Sequence, residues 1–489
     1  MKIKAVSGII LTLLTTSILV VTLNTVPTIA ILPVHNIDTG IDYATIQETI
    51  DAPETQDGHT ITVDAGTYYE HVVVTKSLYL IGEDRGTTII DGSEAGTVVT
   101  IMADNVILSN FTIQNSGEAE PWTPHAEFMN HGVEVFGYNN VTVSNNIFLN
   151  NEVGIYEKIS HRSSIIGNLV LNNRQGICVH HSMNNTLRNN NMIDNSYHLN
   201  VWGAYHLDEY IHDIDTSNIV DGKPVYYWIN EADKKAPLGA GYIALINSTN
   251  ILVENLNVQN TNLLLVFTTE SVIRNVTILD AGGFGVIVCS SNNTIVDNLV
   301  SDNIIAPFRY LAHMENSFDN LIYHNSFINA ISSWRIDPIN SINKWDSGYP
   351  SGGNYWSDHV TVDDCSGVNQ DEPGSDGIVD EPYIIDGANC DHYPLVEPWS
   401  PKPPSPQEAL EDLIQTVESW DLNTGIETSL TSILQGAYRS LDGENPKASI
   451  GQLRAFMSEA EALKDDKLNI EQADYLILEA QRIIDLIKG

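Results

Sequence analysis

Two adjacent histidines, His180 and His181, stand in the stretch NNRQGICVHHSMNNTLRNNNMIDN, and Glu134 lies two steps of 22 residues before Cys178. Imidazole can act as acid, base or metal ligand near neutral pH, and a carboxylate of raised pKa can serve as an acid. On a strand, however, neighbouring side chains leave on opposite faces, so His180 and His181 cannot easily share one metal. The row Glu134, Tyr156, Cys178, Asn200 reads instead as an outward column, flanked by His180, Trp202 and Tyr205 and by Trp122, Tyr226, Tyr227 and Trp228. Aromatic faces with amides and carboxylates suit sugar rings. The alternative is that these aromatics only pack an inserted segment onto its support. An inverting glycosidase needs two facing carboxylates, and this column supplies one. A second gathering, Asp208, Glu209, Asp213 and Asp215 with His206 and His212, matches no catalytic spacing and reads as a solvated loop.

A different chemistry is suggested between Asp363 and Asp391, where seven aspartates and two glutamates alternate with four glycines and no lysine or arginine. Clustered carboxylates on tight turns favour calcium. Asp364, Asp371, Asp376 and Asp380 are the candidate ligands, although their spacing departs from the EF-hand loop; an acidic, solvent-facing cap is the alternative. Cys365 and Cys390 flank this loop and are expected to form a disulfide, which implies an oxidising compartment.

What positions these residues is a repeat. Gly132, Gly154 and Gly176 are each 22 apart, and the next step lands on His198. The residues that follow, Val133, Ile155, Ile177 and Leu199, and those two further on, Val135, Glu157, Val179 and Val201, mark inward columns. Glu157 among valines requires either a local bulge or a buried carboxyl of raised pKa. The same step relates Asn146, Asn168 and Asn190, whereas Asn110 stands 36 before Asn146, leaving room for a 14-residue insertion. Short strands between Asn and Gly turns at a fixed period give a β-solenoid. Asparagine suits it twice, by tolerating left-handed turns and by bonding through its amide to the coil above.

The 489-residue chain carries 63 acidic against 23 basic side chains, a formal charge of −40, which excludes polyanion partners such as nucleic acid and anionic membrane surfaces. Its first 30 residues, with two lysines before a long uncharged run that ends in small residues, read as a signal peptide or an uncleaved anchor, so the protein is expected outside the cytoplasm, secreted or on the cell surface. Six N-x-[ST] sequons, at Asn110, Asn140, Asn184, Asn247, Asn275 and Asn292, are permissive for glycosylation. Repeats this rich in asparagine generate sequons by chance, and most are expected to be unmodified.

The opening ATIQETIDAPETQDGHTITVDAGTYYE, the segment HDIDTSNIVDGKPVYYWIN and the closing GGNYWSDH, GSDGIVDEPYII and DHYPL resemble the NosD-type, carbohydrate-binding and sugar-hydrolysis branch of the pectin-lyase-like superfamily, over roughly residues 40–398. The resemblance implies a right-handed parallel β-helix at residues 31–335, with insertions near 117–131 and 204–247, and an acidic closing module at 336–398. It also implies a groove for polysaccharide or a cell-surface glycan, with a polysaccharide-degrading lyase or glycoside hydrolase, or a purely architectural surface protein, as alternatives. The copper association of the NosD name finds little support in seven methionines and no clustered Cys/His/Met set. After a proline-rich linker (399–406), Ser405-Pro406-Gln407-Glu408 forms a capping box, and apolar residues at helical spacing give a bundle of three or four helices at 407–489. QLRAFMSEAEAL and QADYLILEAQRIIDLI resemble the FIMAH module, which implies a protein-interaction role and no catalysis.

Overall fold

The computed structural model of the chain describes residues 32–118, 129–279, 285–301, 312–328, 336–359, 361–399, 405–420, 422–443, 445–464 and 467–488. The expected signal segment (1–30), Trp122 and part of the first insertion lie outside them.

Three parallel sheets wind the first solenoid. A six-residue strand (His131–Phe136, Val153–Lys158, Gln175–His180) is followed by two three-residue strands in each coil, and Val133 pairs with Ile155, which pairs with Ile177. These aliphatics and those of the short strands form one buried core.

At the corners where two asparagines stand together, they do different work. The first is left-handed: Asn145, Asn150, Asn172 and Asn189 have φ of +53° to +54°, a conformation that asparagine tolerates better than most residues. The second is buried and joins coils. The Asn168 side chain accepts from the Asn146 backbone N–H (3.0 Å) and donates to the Val143 carbonyl (2.9 Å) and to Asn190 Oδ1 (3.0 Å). Asn190 does the same for Asn168, and Asn218 for Asn190. The frame of the preceding coil differs from the expected one by a residue: Asn110, at φ +64°, stands beneath Asn145, and the backbone N–H that meets Asn146 Oδ1 belongs to Phe111.

Residues 204–247, expected as an insertion, are instead the point where the winding reverses. Ile219–Val220 pairs antiparallel with Lys223–Ile229, which pairs parallel with Tyr242–Ile246, and thirteen strands from both solenoids share this sheet. Reversing strand direction while advancing along the same axis would invert the hand of the coil, and parallel crossovers are right-handed. The hand is kept because the interior changes sides. Val225, Tyr227, Ala244 and Ile246 stay against the first core, whereas Ile243 and Leu245, with Tyr226 and Trp228 packed beside them, face a second core. The first strands of the second solenoid are therefore buried on both faces, which is why Tyr242–Ile246 and Leu263–Val266 are unbroken apolar runs. Tyr227 donates its hydroxyl to the Tyr210 carbonyl at 2.7 Å; this aromatic trio packs, and does not line a groove.

The second solenoid steps by 20 to 22 residues in its first coils and by 23 to 29 in its later ones, and runs past the expected boundary at 335, since Ile336–Ile339, Ile342–Lys344 and Tyr355–Trp356 each add a strand to one of its sheets. Its two ladders, Asn293–Asn320–Asn343–Asn389 and Asn298–Asn325–Asn354–Asp391, end on the closing segment. There Asp391 accepts from the Asn354 backbone N–H (2.7 Å) and the Trp356 ring N–H (2.9 Å). A Cβ on Gly353 would meet the Asp391 carboxylate at 1.8 Å, so only glycine permits this closure.

Beyond the linker, four helices, Pro406–Ser419, Thr424–Asp442, Pro446–Leu463 and Ile470–Lys488, enclose a core of their own. Both arms of the Ser405/Glu408 capping box are made.

The ladder yields a mutational expectation. Asn168→Ala leaves the Asn146 N–H buried without its partner and removes the side-chain bonds to the Val143 carbonyl and Asn190, and should lower unfolding free energy by about 2–4 kcal/mol in a denaturant titration. Asn145→Ala, at an exposed corner, should cost clearly less.

Candidate functional site

The outer face of the six-residue strands carries the expected column, but the structure divides it. Tyr156 and Cys178 are buried beneath Met129 beside Val153, forming a small apolar cluster of their own. Their outward direction holds; their accessibility does not, because the end of the first insertion covers them. Gln175 accepts from the Cys178 thiol (3.1 Å) and donates to Met129 sulfur (3.4 Å), fastening that cover. Glu134 and Asn200, at the two ends of the column, are half-buried.

Around Tyr156 the structure assembles a group that the column alone did not reveal. His131 stacks flat on the Tyr156 ring (4.6 Å, 5°), and His180 meets the same ring edge-on (5.4 Å, 80°). His131 Nδ1 lies 4.0 Å from Glu134 and 3.4 Å from the Thr97 hydroxyl. Burial pushes the Glu134 carboxyl above its ordinary range. His131 escaped sequence reading because it opens its strand and precedes the repeating glycine. Three strands in register thus bring two imidazoles, a phenol and a carboxylate together, with His131 and Tyr156 buried and only Glu134 and His180 half-buried at the edge of the cover. Beside them runs a second outward column, Phe136–Lys158–His180–Trp202. Phe136 is 52% exposed, with the Lys158 ammonium 5.7 Å from its ring centroid.

The remaining candidates disperse. Trp202 packs against the first core, and the exposed Tyr205 hydroxyl is bonded to Glu315. His181, at φ +48°, turns away from His180 and pairs with Glu209 at 3.0 Å. Glu209 also accepts from the Ala204 N–H, Asp213 and Asp215 pair with Arg188, and His212 is buried, its pKa lowered to about 4 by desolvation. These residues hold the 203–215 segment in place.

In the acidic module, Asp380 accepts from the backbone N–H groups of Asp364 and Cys365 (3.2 and 3.1 Å), and Asp376 from Gln370 and the Ile378 N–H (3.1 and 3.0 Å). Asp364 and Asp371 are exposed. Among the described residues no three His, Cys, Asp or Glu side chains gather as a metal-holding group. Nor do described side chains fit a copper centre. Cys365 and Cys390 are free thiols: each belongs to its own two-stranded hairpin, Cys365 opposite Pro373 and Cys390 opposite Ile384, so the expected bridge is not made.

Directly behind the site, Glu157 answers the question its position raised. It pairs in register with Val135 and Val179, with no bulge, and is wholly buried. One carboxyl oxygen accepts from Asn185 (2.9 Å), the other has no hydrogen-bond partner, and burial raises its pKa to about 8.

Residues 85–210 match the family profile described as "Right handed beta helix region", and residues 230–360 the profile described as "Periplasmic copper-binding protein (NosD)". The chain is a right-handed β-helix protein. A "Cell surface glycoprotein" of Methanothermus fervidus is 41% identical over 81 residues, which is 16% of this chain and 13% of that relative. Among solved structures, an alginate lyase, AlyF-OU02, in complex with G6 aligns at TM-score 0.30 and 13% identity over 60% of this chain and 80% of its own. The A-module of the Azotobacter vinelandii mannuronan C-5 epimerase AlgE6 aligns at TM-score 0.29 and 14% identity over 61% and 90%. Likeness this distant transfers neither substrate nor residue roles.

Glu157 and Asp391 make stability fall with pH. Both acids have folded pKa values above their ordinary ones, about 8 against 4.5 and about 7 against 3.8, so their stabilisation is complete below the ordinary value and lost as pH rises through the folded value. Melting temperature should therefore drop between about pH 5 and pH 8. Glu157→Gln should flatten that slope and leave the variant more stable than wild type at the alkaline end.

Proposed function

We propose that this is an extracytoplasmic, surface-displayed β-helix protein that binds an extended carbohydrate along the outer face of its long-strand sheet. The observation that carries the reading is the pair of outward columns on consecutive coils, with half-buried Glu134 beside the His131–Tyr156–His180 stack and the exposed Phe136 ring beside Lys158. Coils rise by about 4.8 Å, close to the advance of a pyranose unit in an extended polymer, so one chain laid along the axis passes one coil per sugar, with Glu134 and Phe136 on one coil and Lys158 on the next. Amides, carboxylates and ring faces are the groups that grip a sugar whose edges are hydroxyl and whose faces are C–H. The charge of −40 disfavours polyanionic glycans, which directs the proposal toward neutral ones. The matched stretch of a cell surface glycoprotein supports display at the surface. The copper in the name of the second profile supports no step here, because the described residues do not gather its ligands.

A polysaccharide-degrading enzyme is the second reading, favoured by the raised Glu134 carboxyl within 4.0 Å of His131. Against an inverting hydrolase, the next three positions of the Glu134 column are tyrosine, cysteine and asparagine, so it offers no second carboxylate for the water.

A panel of neutral and acidic polysaccharides tested by calorimetry, with product analysis of the same samples, separates these readings. Binding to neutral chains without new reducing ends or unsaturated products is expected. Phe136→Ala combined with Glu134→Gln should weaken that binding at least tenfold, about 1.4 kcal/mol, without moving the melting temperature by more than a few degrees. Products in the supernatant would favour the enzyme, and a flat panel the architectural reading.

A further inference from the structure

The six sequons share one geometry. Every sequon asparagine has positive φ, from +47° at Asn247 to +64° at Asn110, and sits at a corner of a coil. The middle residue is buried in each case: Phe111, Val141, Asn185, Ser248, Val276, Asn293. The threonine opens the next strand, as in Thr142–Ser144, Thr186–Arg188, Thr249–Glu254, Thr277–Leu279 and Thr294–Val296. The tripeptide is thus a rule of the fold: a left-handed corner residue, an inward residue, then an outward β-branched residue at a strand start. Composition alone is an incomplete account of its recurrence, and the rule places the acceptor amide outside the core each time.

The sequons are not equal. Asn140, Asn184, Asn247, Asn275 and Asn292 are exposed, and their threonines are partly so. At Asn110 the asparagine is half-buried, its amide oxygen accepts from Asn145 (2.5 Å), and Thr112 is buried with its hydroxyl given to the Arg85 carbonyl (2.6 Å).

We propose that the exposed corners at Asn140, Asn184, Asn247, Asn275 and Asn292 are N-glycosylation sites, and that Asn110 is not. The donor is a polyprenyl-phosphate-linked oligosaccharide presented by a transferase on the outer side of the membrane, so the proposal rests on the extracytoplasmic reading. The asparagine Nδ2 forms a bond to sugar C1, the bond from C1 to the lipid phosphate oxygen breaks, the phosphate leaves with the lipid, and the amide gives up one proton. One N–H remains on each modified amide, which lets the exposed corner bonds Asn247–Asn230 and Asn275–Asn255 (both 2.6 Å) persist beneath the glycan. A glycan on Asn110 would instead have to displace the Asn145 contact above it.

Glycopeptide mass spectrometry of the full chain recovered from its own cells, with protease accessibility of intact cells measured on the same culture, tests this. Modification at the five corners and none at Asn110 is expected. Thr186→Ala should remove the glycan from Asn184 alone, and Thr186→Ser should restore it. A bare chain recovered from the surface, modification at Asn110, or any of the five corners left bare overturns the assignment. A chain that is bare and inaccessible to protease overturns the location as well.

Discussion

A buried asparagine side chain that satisfies the backbone of the neighbouring coil holds this molecule together. At each tight corner the ladder of sheet hydrogen bonds is interrupted, and a backbone N–H would be left inside without a partner. Asn168 closes the gap by touching the coil below twice and the coil above once. Each bond contributes about 1 kcal/mol net, but leaving the group unmade would cost about 1–3 kcal/mol. The same solution recurs in the second solenoid through Asn293, Asn320 and Asn343.

The rest follows from keeping that ladder in step. A 22-residue register through the central coils of the first solenoid stacks Glu134, Tyr156 and the two histidines, so the candidate site is a by-product of the spacing that serves the amides. The reversal near residue 220 ends one pair of ladders and begins another on the opposite face of a shared sheet, and the strand run buried on both sides joins the two cores. At the far end Asp391 takes the place of another asparagine; buried among the Asn354 and Trp356 donors, it terminates the stack where no further coil follows.

Sequence periodicity revealed the solenoid, its inward columns and the role of asparagine, because each rests on local spacing that repeats. It did not reveal which outward residues are covered. Tyr156 and Cys178 share a column with Glu134, yet Met129, brought in by an insertion outside the repeat, buries them. The reversal was hidden for a similar reason: antiparallel pairing of Ile219–Val220 with Lys223–Ile229 has no period, and its apolar run looked like an insertion. In the acidic loop, composition did not reveal how the carboxylates are used. Its carboxylates are placed to receive N–H groups of their own turns, as at Asp363 with Ser375, Asp376 and Gly377, and charge density alone does not distinguish that from a cation cage. Pairing Cys365 with Cys390 failed because each thiol belongs to a separate hairpin.

Native-state hydrogen exchange tests the central claim most directly. If the buried ladders hold the coils as units, the backbone amides of Asn146, Asn168 and Asn190, each bonded to an asparagine side chain of the next coil, should exchange with one common opening free energy near that of global unfolding of their solenoid. Those of Asn293, Asn298, Asn320 and Asn325 should do likewise in theirs. Protection that declines coil by coil from one end, or ladder amides that exchange as fast as those of the exposed corners, would contradict it.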